Sequence, residues 1–279
     1  MSRTNTSKGR SRRLLAVDIY RAENANSVDL TGAKDFLRSY LPTVAVSLKP
    51  RALGLMKGSR VDEFARLFAL ARVKDPSKHD QISQPMFGEI EYERRLIEGD
   101  AEAGGVVYDG RNLSEVFSGL VPRRDLSSCS IVVTDRLIST FSRDDLRHHL
   151  RTAVFGFPSI VSVPGVVEAP ARPREYYLLK QQLETEGAGE FAIAELKSSF
   201  KDRFLDYEDS RIPDVVSGLV LQCTMFHLTL RPFCGNKGCM LYNSHWQEEL
   251  IASEVISHSL CGRHAKEIKE LGRNPLLRW

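Results

Sequence analysis

Cys234-Gly-Asn-Lys-Gly-Cys239, followed after 21 residues by Cys261-Gly-Arg-His264, is the most constrained part of this chain. Three soft thiolates and one imidazole suit zinc, which has no redox chemistry and takes four N/S ligands when it serves structure. The spacing predicts one structural zinc ion held by Cys234, Cys239, Cys261 and His264. Cys261 and His264 fit the start of a helix, where i, i+3 spacing puts both on one face. Gly235 and Gly238 are expected to supply left-handed turns around the ion. Two other readings use the same cysteines, as buried hydrophobes or as a disulfide, and neither gives His264 a part.

Working outward, the apolar run from Leu219 to Leu230 precedes the first knuckle cysteine and carries Cys223, Thr224 and His227. Cys223 and His227 stand at i, i+4 on one helical face, as satisfied interior groups or as a two-ligand remnant of a metal site. Beyond the knuckle, His245 and Glu248 are expected at i, i+3 on a helix, beside Glu249, either as an orienting pair or as solvated charges of a first turn. His148-His149 reads as a solvated surface run. Arg172, Arg174 and Tyr176 follow a proline-punctuated segment, and serve either to clamp a peptide or to complete a stiff connector.

The N-terminal part alternates strand and helix signals. Leu14 to Tyr20 and Thr43 to Leu48 read as strands, with a helix from Gly32 to Tyr40 between them, which opens an α/β sheet. Asp62 to Ala71 has helical spacing. The stretch from Lys78 to Gly105 resists assignment and suggests an insertion, since Phe87 to Leu96 suits either state. Val106 to Tyr108, Asn112 to Leu120 and Ser130 to Thr134 make a second strand-helix-strand step. Arg151 to Phe157 and Ser159 to Val167 read as a hairpin or two edge strands, and helices are expected over Glu175 to Leu183, Ile193 to Phe200 and Asp214 to Leu230.

Composition is ordinary: 42% hydrophobic, 27% charged, net charge +3. No apolar stretch approaches the roughly 20 residues of a membrane span. The absence of a secretory pattern and the unpaired look of the cysteines point to the cytoplasm and no membrane partner. Arg3, Lys8, Arg10, Arg12 and Arg13 crowd a polar N-terminus, expected to be a disordered basic arm over residues 1–13 that either touches nucleic acid or is merely solvated.

Several of these stretches together resemble the archaemetzincins, metzincin-like zinc peptidases of archaea and some eukaryotes. The likeness rests on Tyr108-Asp109-Gly110-Arg111-Asn112-Leu113, Ile131-Val132-Val133-Thr134-Asp135, Phe155-Gly156 with Ser159-Ile160-Val161-Ser162, and Cys234-x4-Cys239-Met240 with Cys261-x2-His264. That family carries His-Glu-x2-His-x2-Gly-x2-His directly before the first knuckle cysteine. Here those positions hold Cys223, Thr224, His227, Leu230 and Phe233, so one histidine is kept and the general base is lost. Hydrolysis of a peptide by zinc needs three ligands, an open position and a base. The resemblance therefore implies an α/β (α+β) fold with a metzincin-like mixed sheet, one structural zinc and a catalytically inactive homologue that binds a peptide or protein partner. The alternative it leaves is a divergent zinc peptidase rebuilt around Cys223 and His227, with His245 or Glu248; a third reading is a nucleic-acid or ribosome-associated factor. It divides the chain into the arm, an N-terminal α/β portion over 14–105, a core over 106–232 and a zinc-binding subdomain over 233–279.

Overall fold

The structure, a computed structural model, describes residues 12–23, 28–56, 58–79, 83–122 and 125–279. Most of the basic arm thus lies outside the described residues. Its last two residues do not: Arg13 bridges to Leu276, and the Arg12 carbonyl accepts the Leu277 amide at 2.9 Å.

The chain begins with β1 (Ala16–Arg21), α1 (Leu30–Tyr40) and β2 (Ala45–Lys49), the expected strand-helix-strand opening, with β1 and β2 parallel. Asp29 caps α1 by accepting the Thr31 amide at 2.8 Å. Then come α2 (Ser59–Leu70), α3 (Phe87–Glu98), β3 (Val107–Asp109) and α4 (Gly110–Ser118). The stretch without an assignment in the sequence contains α3, a helix packed on α2. After it follow β4 (Ser128–Thr134), β5 (Leu137–Ser142), β6 (Arg147–Arg151), β7 (Ala153–Val154) and β8 (Ser159–Ser162). The second half is helical: α5 (Val163–Glu168), α6 (Arg174–Thr185), α7 (Glu190–Ser199), α8 (Ile212–Thr229), α9 (Gln247–Leu250), a π-helical stretch Ile251–Ser257, and α10 (Gly262–Arg273).

Five strands form the main sheet in the order β2-β1-β4-β8-β7, parallel except for β7, and β3-β5-β6 form a second, smaller sheet. The fold is the expected α+β class with mixed sheets. Alternation along the central strands feeds two cores: Cys129, Ile131 and Val133 of β4 face α1 and α8, while Val132 faces α2 and α4. Helix α8 is buried on every side except at Pro213, Asp214 and Phe226, as an all-round apolar helix must be.

Three expectations need correction. Ser159 to Val167 is not one strand: Ser162 accepts the Gly165 amide at 2.9 Å, and with Pro164 in the first turn the chain becomes α5. β7 and β8 do pair antiparallel, as the hairpin reading has it, but β8 is not an edge, since it lies between β4 and the two-residue β7. His148-His149 is not a solvated run. It lies in β6, with the His148 side chain 2% exposed and bonded to Ser139 Oγ at 3.1 Å and the Lys78 carbonyl at 3.2 Å.

A buried ion network ties the ends of β1, α2 and β4 to α3. Arg136 is fully enclosed; its Nε donates to Glu23 at 2.9 Å, its Nη1 to Glu93 at 2.5 Å, and its plane lies 4.2 Å from the Phe68 ring centre. Glu93 of α3 also accepts from Arg72 at 2.7 Å and from the Tyr108 hydroxyl at 2.8 Å. Burial raises the Glu23 carboxyl, against the pull of Arg136.

Candidate metal centre and cleft

The knuckle begins as a short bridge: the Cys234 amide donates to the Leu241 carbonyl at 2.6 Å, and Cys234 pairs with Tyr242. Its turn is not made by left-handed glycines, as neither Gly235 nor Gly238 has positive φ. Asn236 closes it instead. Its side chain accepts the Gly238 amide at 2.9 Å and its carbonyl accepts the Cys239 amide at 3.0 Å, an Asx-type turn that needs no unusual backbone. From the other arm, Cys261 caps α10 and His264 sits in the first turn, so both face the knuckle.

The four ligand atoms lie within 4.8 Å of one another. Cys234 Sγ is 3.9 Å from Cys261 Sγ, and His264 Nδ1 is 3.4 Å from Cys261 Sγ and 3.7 Å from Cys239 Sγ. Ordinary zinc bond lengths in a tetrahedron set S···S edges of about 3.8 Å and S···N edges of about 3.5 Å. The donor set and its spacing therefore fit a zinc ion. Cys234 receives the Asn236 amide at 3.3 Å and Cys239 the Cys261 amide at 3.4 Å, contacts that favour thiolates. Burial pushes the metal-free Cys239 thiol up to about 12, while the amides of His264 and neighbouring groups lower Cys261. Burial, helped by Arg263, also lowers the pKa of His264 and keeps it a neutral ligand.

Cys223, Thr224 and His227 are occupied elsewhere. Cys223 is fully buried beside Ser159, and burial pushes its thiol up to about 12. Thr224 Oγ1 donates to the Val220 carbonyl at 2.9 Å, and His227 Nε2 lies 2.9 Å from the Leu126 carbonyl with the Phe157 ring 5.4 Å from it. His245 does not share a helix with Glu248, because Trp246 is extended and bridges to Ala171, and α9 begins at Gln247. Glu248 pairs with Arg203 at 2.7 Å, whereas Glu249 accepts the His245 amide at 3.1 Å. Arg172 stacks 4.7 Å from the Phe204 ring centre, Tyr176 is packed between Phe200 and Phe204, and Arg174 is exposed.

Against α8 and the loop that follows the knuckle lies a cleft of about 580 Å³, which sequence reasoning missed. Its walls are the strand edge from His149 to Phe155, Ala169 to Ala171, the loop from Tyr242 to His245, and Leu219 and Gln222 of α8. Cys223 and His227 do not reach it. Gln222 links cleft to knuckle, donating to the Met240 carbonyl at 2.8 Å and to Glu254 Oε1 at 2.9 Å. Glu254, in the π-helical stretch, is fully buried against Gly218, whose missing side chain makes the room, and its Oε2 has no hydrogen-bond partner among the described residues. Burial holds this carboxyl well above the usual range.

A sequence profile of the "Probable metallopeptidase family (DUF6775)" matches residues 13–271. The chain belongs to this family. Among solved structures, a zinc-dependent peptidase from Methanocorpusculum labreanum (strain Z) is similar at 14% identity and a TM-score of 0.39, over 90% of this chain and 99% of that one. No curated protein matches. For this DUF6775 member, the Cys₃His cluster is the group of three or more ligands assembled among the described residues, and none of their helices is long and apolar enough to cross a membrane.

Proposed function

We propose that this family member is an archaemetzincin-like protein fastened by one structural zinc, that it no longer hydrolyses peptides, and that it holds an extended peptide or a segment of a partner protein in its cleft. The observation that carries the reading is the state of the helix before the knuckle. Leu230 ends α8 in the left-handed conformation, φ 55°, at the position where the archaemetzincin pattern has glycine. The chain thus keeps that turn while Cys223, Thr224 and Phe233 replace the ligands and the base. Phe233 packs 5.3 Å from the Phe155 ring centre, so an aromatic contact occupies the place of the third ligand. Thr224 cannot serve as a base at neutral pH.

Binding is supported by the cleft's position along the sheet edge, where a strand can be added. Arg172 and Arg174 follow the cleft wall at Ala171 and extend the contact surface, with Tyr176 holding Arg172 at 3.4 Å. Zinc per chain, measured before and after dialysis against a mild chelator alongside a peptidase assay, tests the reading. One retained zinc and no hydrolysis are expected. A second, exchangeable zinc on which hydrolysis depends would overturn it.

A further inference from the structure

The backbone at β7 is arranged to receive a strand. In the antiparallel pairing of β7 with β8, Ala153 stands opposite Val161 and Val154 opposite Ile160, and the Ser162 amide donates to the Thr152 carbonyl at 2.8 Å. Hydrogen-bonded and non-bonded pairs alternate along such a ladder. The pairs at 152 and 154 are therefore the bonded ones, and the N–H and C=O of Ala153 point away from β8, into the cleft that Ala153 lines. Neither group has a hydrogen-bond partner among the described residues. An unpaired donor and acceptor on an exposed edge is the fixture that an extended peptide completes.

The charge on the cleft wall is one-sided; Glu115 lies with Arg111, Val154 and Phe155 around the adjoining hollow, not on that wall. Arg111 and Arg151 line the cleft, and no aspartate or glutamate does among the described residues. The Arg111 guanidinium has no hydrogen bond or ion pair of its own among them; only its backbone amide is engaged, by Asp109. Arg151 uses Nε on Thr140 at 2.8 Å, and its Nη groups make no hydrogen bond among the described residues. Near Arg151, the Asp145 carboxylate is taken by Arg147 at 2.8 Å and by His149 at 2.7 Å. Gly110 brings α4 against β7, since a Cβ there would meet Val154 Cγ2 at 2.6 Å, and this close approach places the neighbouring Arg111 beside the strand edge.

Resting on the peptide-binding reading above, we propose that the cleft selects extended segments bearing acidic side chains. The segment pairs with Ala153, and its carboxylates are held by Arg111 and Arg151. Arginine's planar fork pairs with a carboxylate through two bonds, and unengaged guanidinium groups in a concave wall are suited to that partner. The test uses the full-length, zinc-loaded chain and two fluorescent peptides of alternating threonine and valine, one with glutamates at every second polar position and the other with glutamines there. At low salt the glutamate peptide should bind at least tenfold more tightly, and the difference should shrink at high salt. Arg111→Gln and Arg151→Gln should each weaken the glutamate peptide at least threefold and leave the glutamine peptide unchanged. Ala153→Pro, which removes the outward N–H, should weaken both alike. Equal affinity for the two peptides would overturn the acidic selection while leaving peptide docking in place. Binding of neither would remove the reading on which the proposal rests. Should Ala153→Pro fail to fold, the two exposed arginine variants still decide the question.

Discussion

Cys234 Sγ lies 3.9 Å from Cys261 Sγ, although 27 positions separate them in the chain. The contact brings the knuckle against the cap of α10, where an ion held by both would fasten the C-terminal helices. Cys261→Ser should therefore release zinc and lower stability by about 4 kcal/mol or more, as loss of a metal site does. For a chain of this size that is a fall in Tm of about 8–16 °C. Zinc content and thermal unfolding check it; retained zinc with an unchanged Tm would reject the four-ligand site.

Zinc affinity should fall with pH. The metal-free Cys239 thiol, pushed up to about 12, is protonated throughout the neutral range, so binding the ion must expel at least that proton. Lowering the pH opposes the expulsion. Competition with a chromophoric chelator should show affinity dropping about tenfold or more per pH unit between pH 8 and pH 6. A flat profile would mean that Cys239 is not a ligand.

His227→Gln and Cys223→Ala should leave zinc per chain unchanged. His227 Nε2 is bonded to the Leu126 carbonyl, and Cys223 is buried beside Ser159. Each substitution should cost only about 1–3 kcal/mol, from a lost hydrogen bond or a small cavity. If either variant lowers the metal content, the helix before the knuckle holds an ion after all.

Glu254→Gln should stabilise the protein at alkaline pH. Burial raises the folded-state pKa of Glu254, so the folded chain keeps a proton that the unfolded chain releases above about pH 4.5. Its contribution is full below that pH and is lost as pH rises toward the folded-state value, at about 1.4 kcal/mol per unit. The amide cannot ionise and still accepts from Gln222. Tm profiles from pH 5 to pH 8 should show the variant flatter, with the higher Tm at pH 8. Parallel profiles would show that the carboxyl is not held neutral.

Breaking the enclosed network should be costly. Glu93→Gln removes one of the two carboxylates facing the fully buried Arg136 and should destabilise by about 3–5 kcal/mol, with little rescue by salt. Urea unfolding at low and high ionic strength measures both. A change below about 1 kcal/mol would mean that Arg136 finds other partners.

Local order was legible wherever spacing or periodicity is local. The opening strand, helix and strand, the buried α8 and the i, i+3 pair at Cys261 and His264 all follow from short-range patterns. β5 and β6 were not legible, because Ser139 and His148 turn polar side chains inward and break the alternation of a half-buried strand. α3 was obscured because its inward residue Glu93 is charged, and only Arg72 and Arg136 from distant elements make that burial tolerable.

By itself the sequence grouped Cys234, Cys239, Cys261 and His264 as a donor set that suits zinc, and it put cysteine, threonine and phenylalanine at positions 223, 224 and 233. Only the tertiary structure decided that Cys223 and His227 turn away from the cleft, that Arg111 and Arg151 share a wall with the unpaired edge at Ala153, and that Glu254 is sealed against Gly218. Ligand type and backbone periodicity are written in neighbouring residues, whereas burial and the absence of a partner depend on which distant segments come to lie alongside.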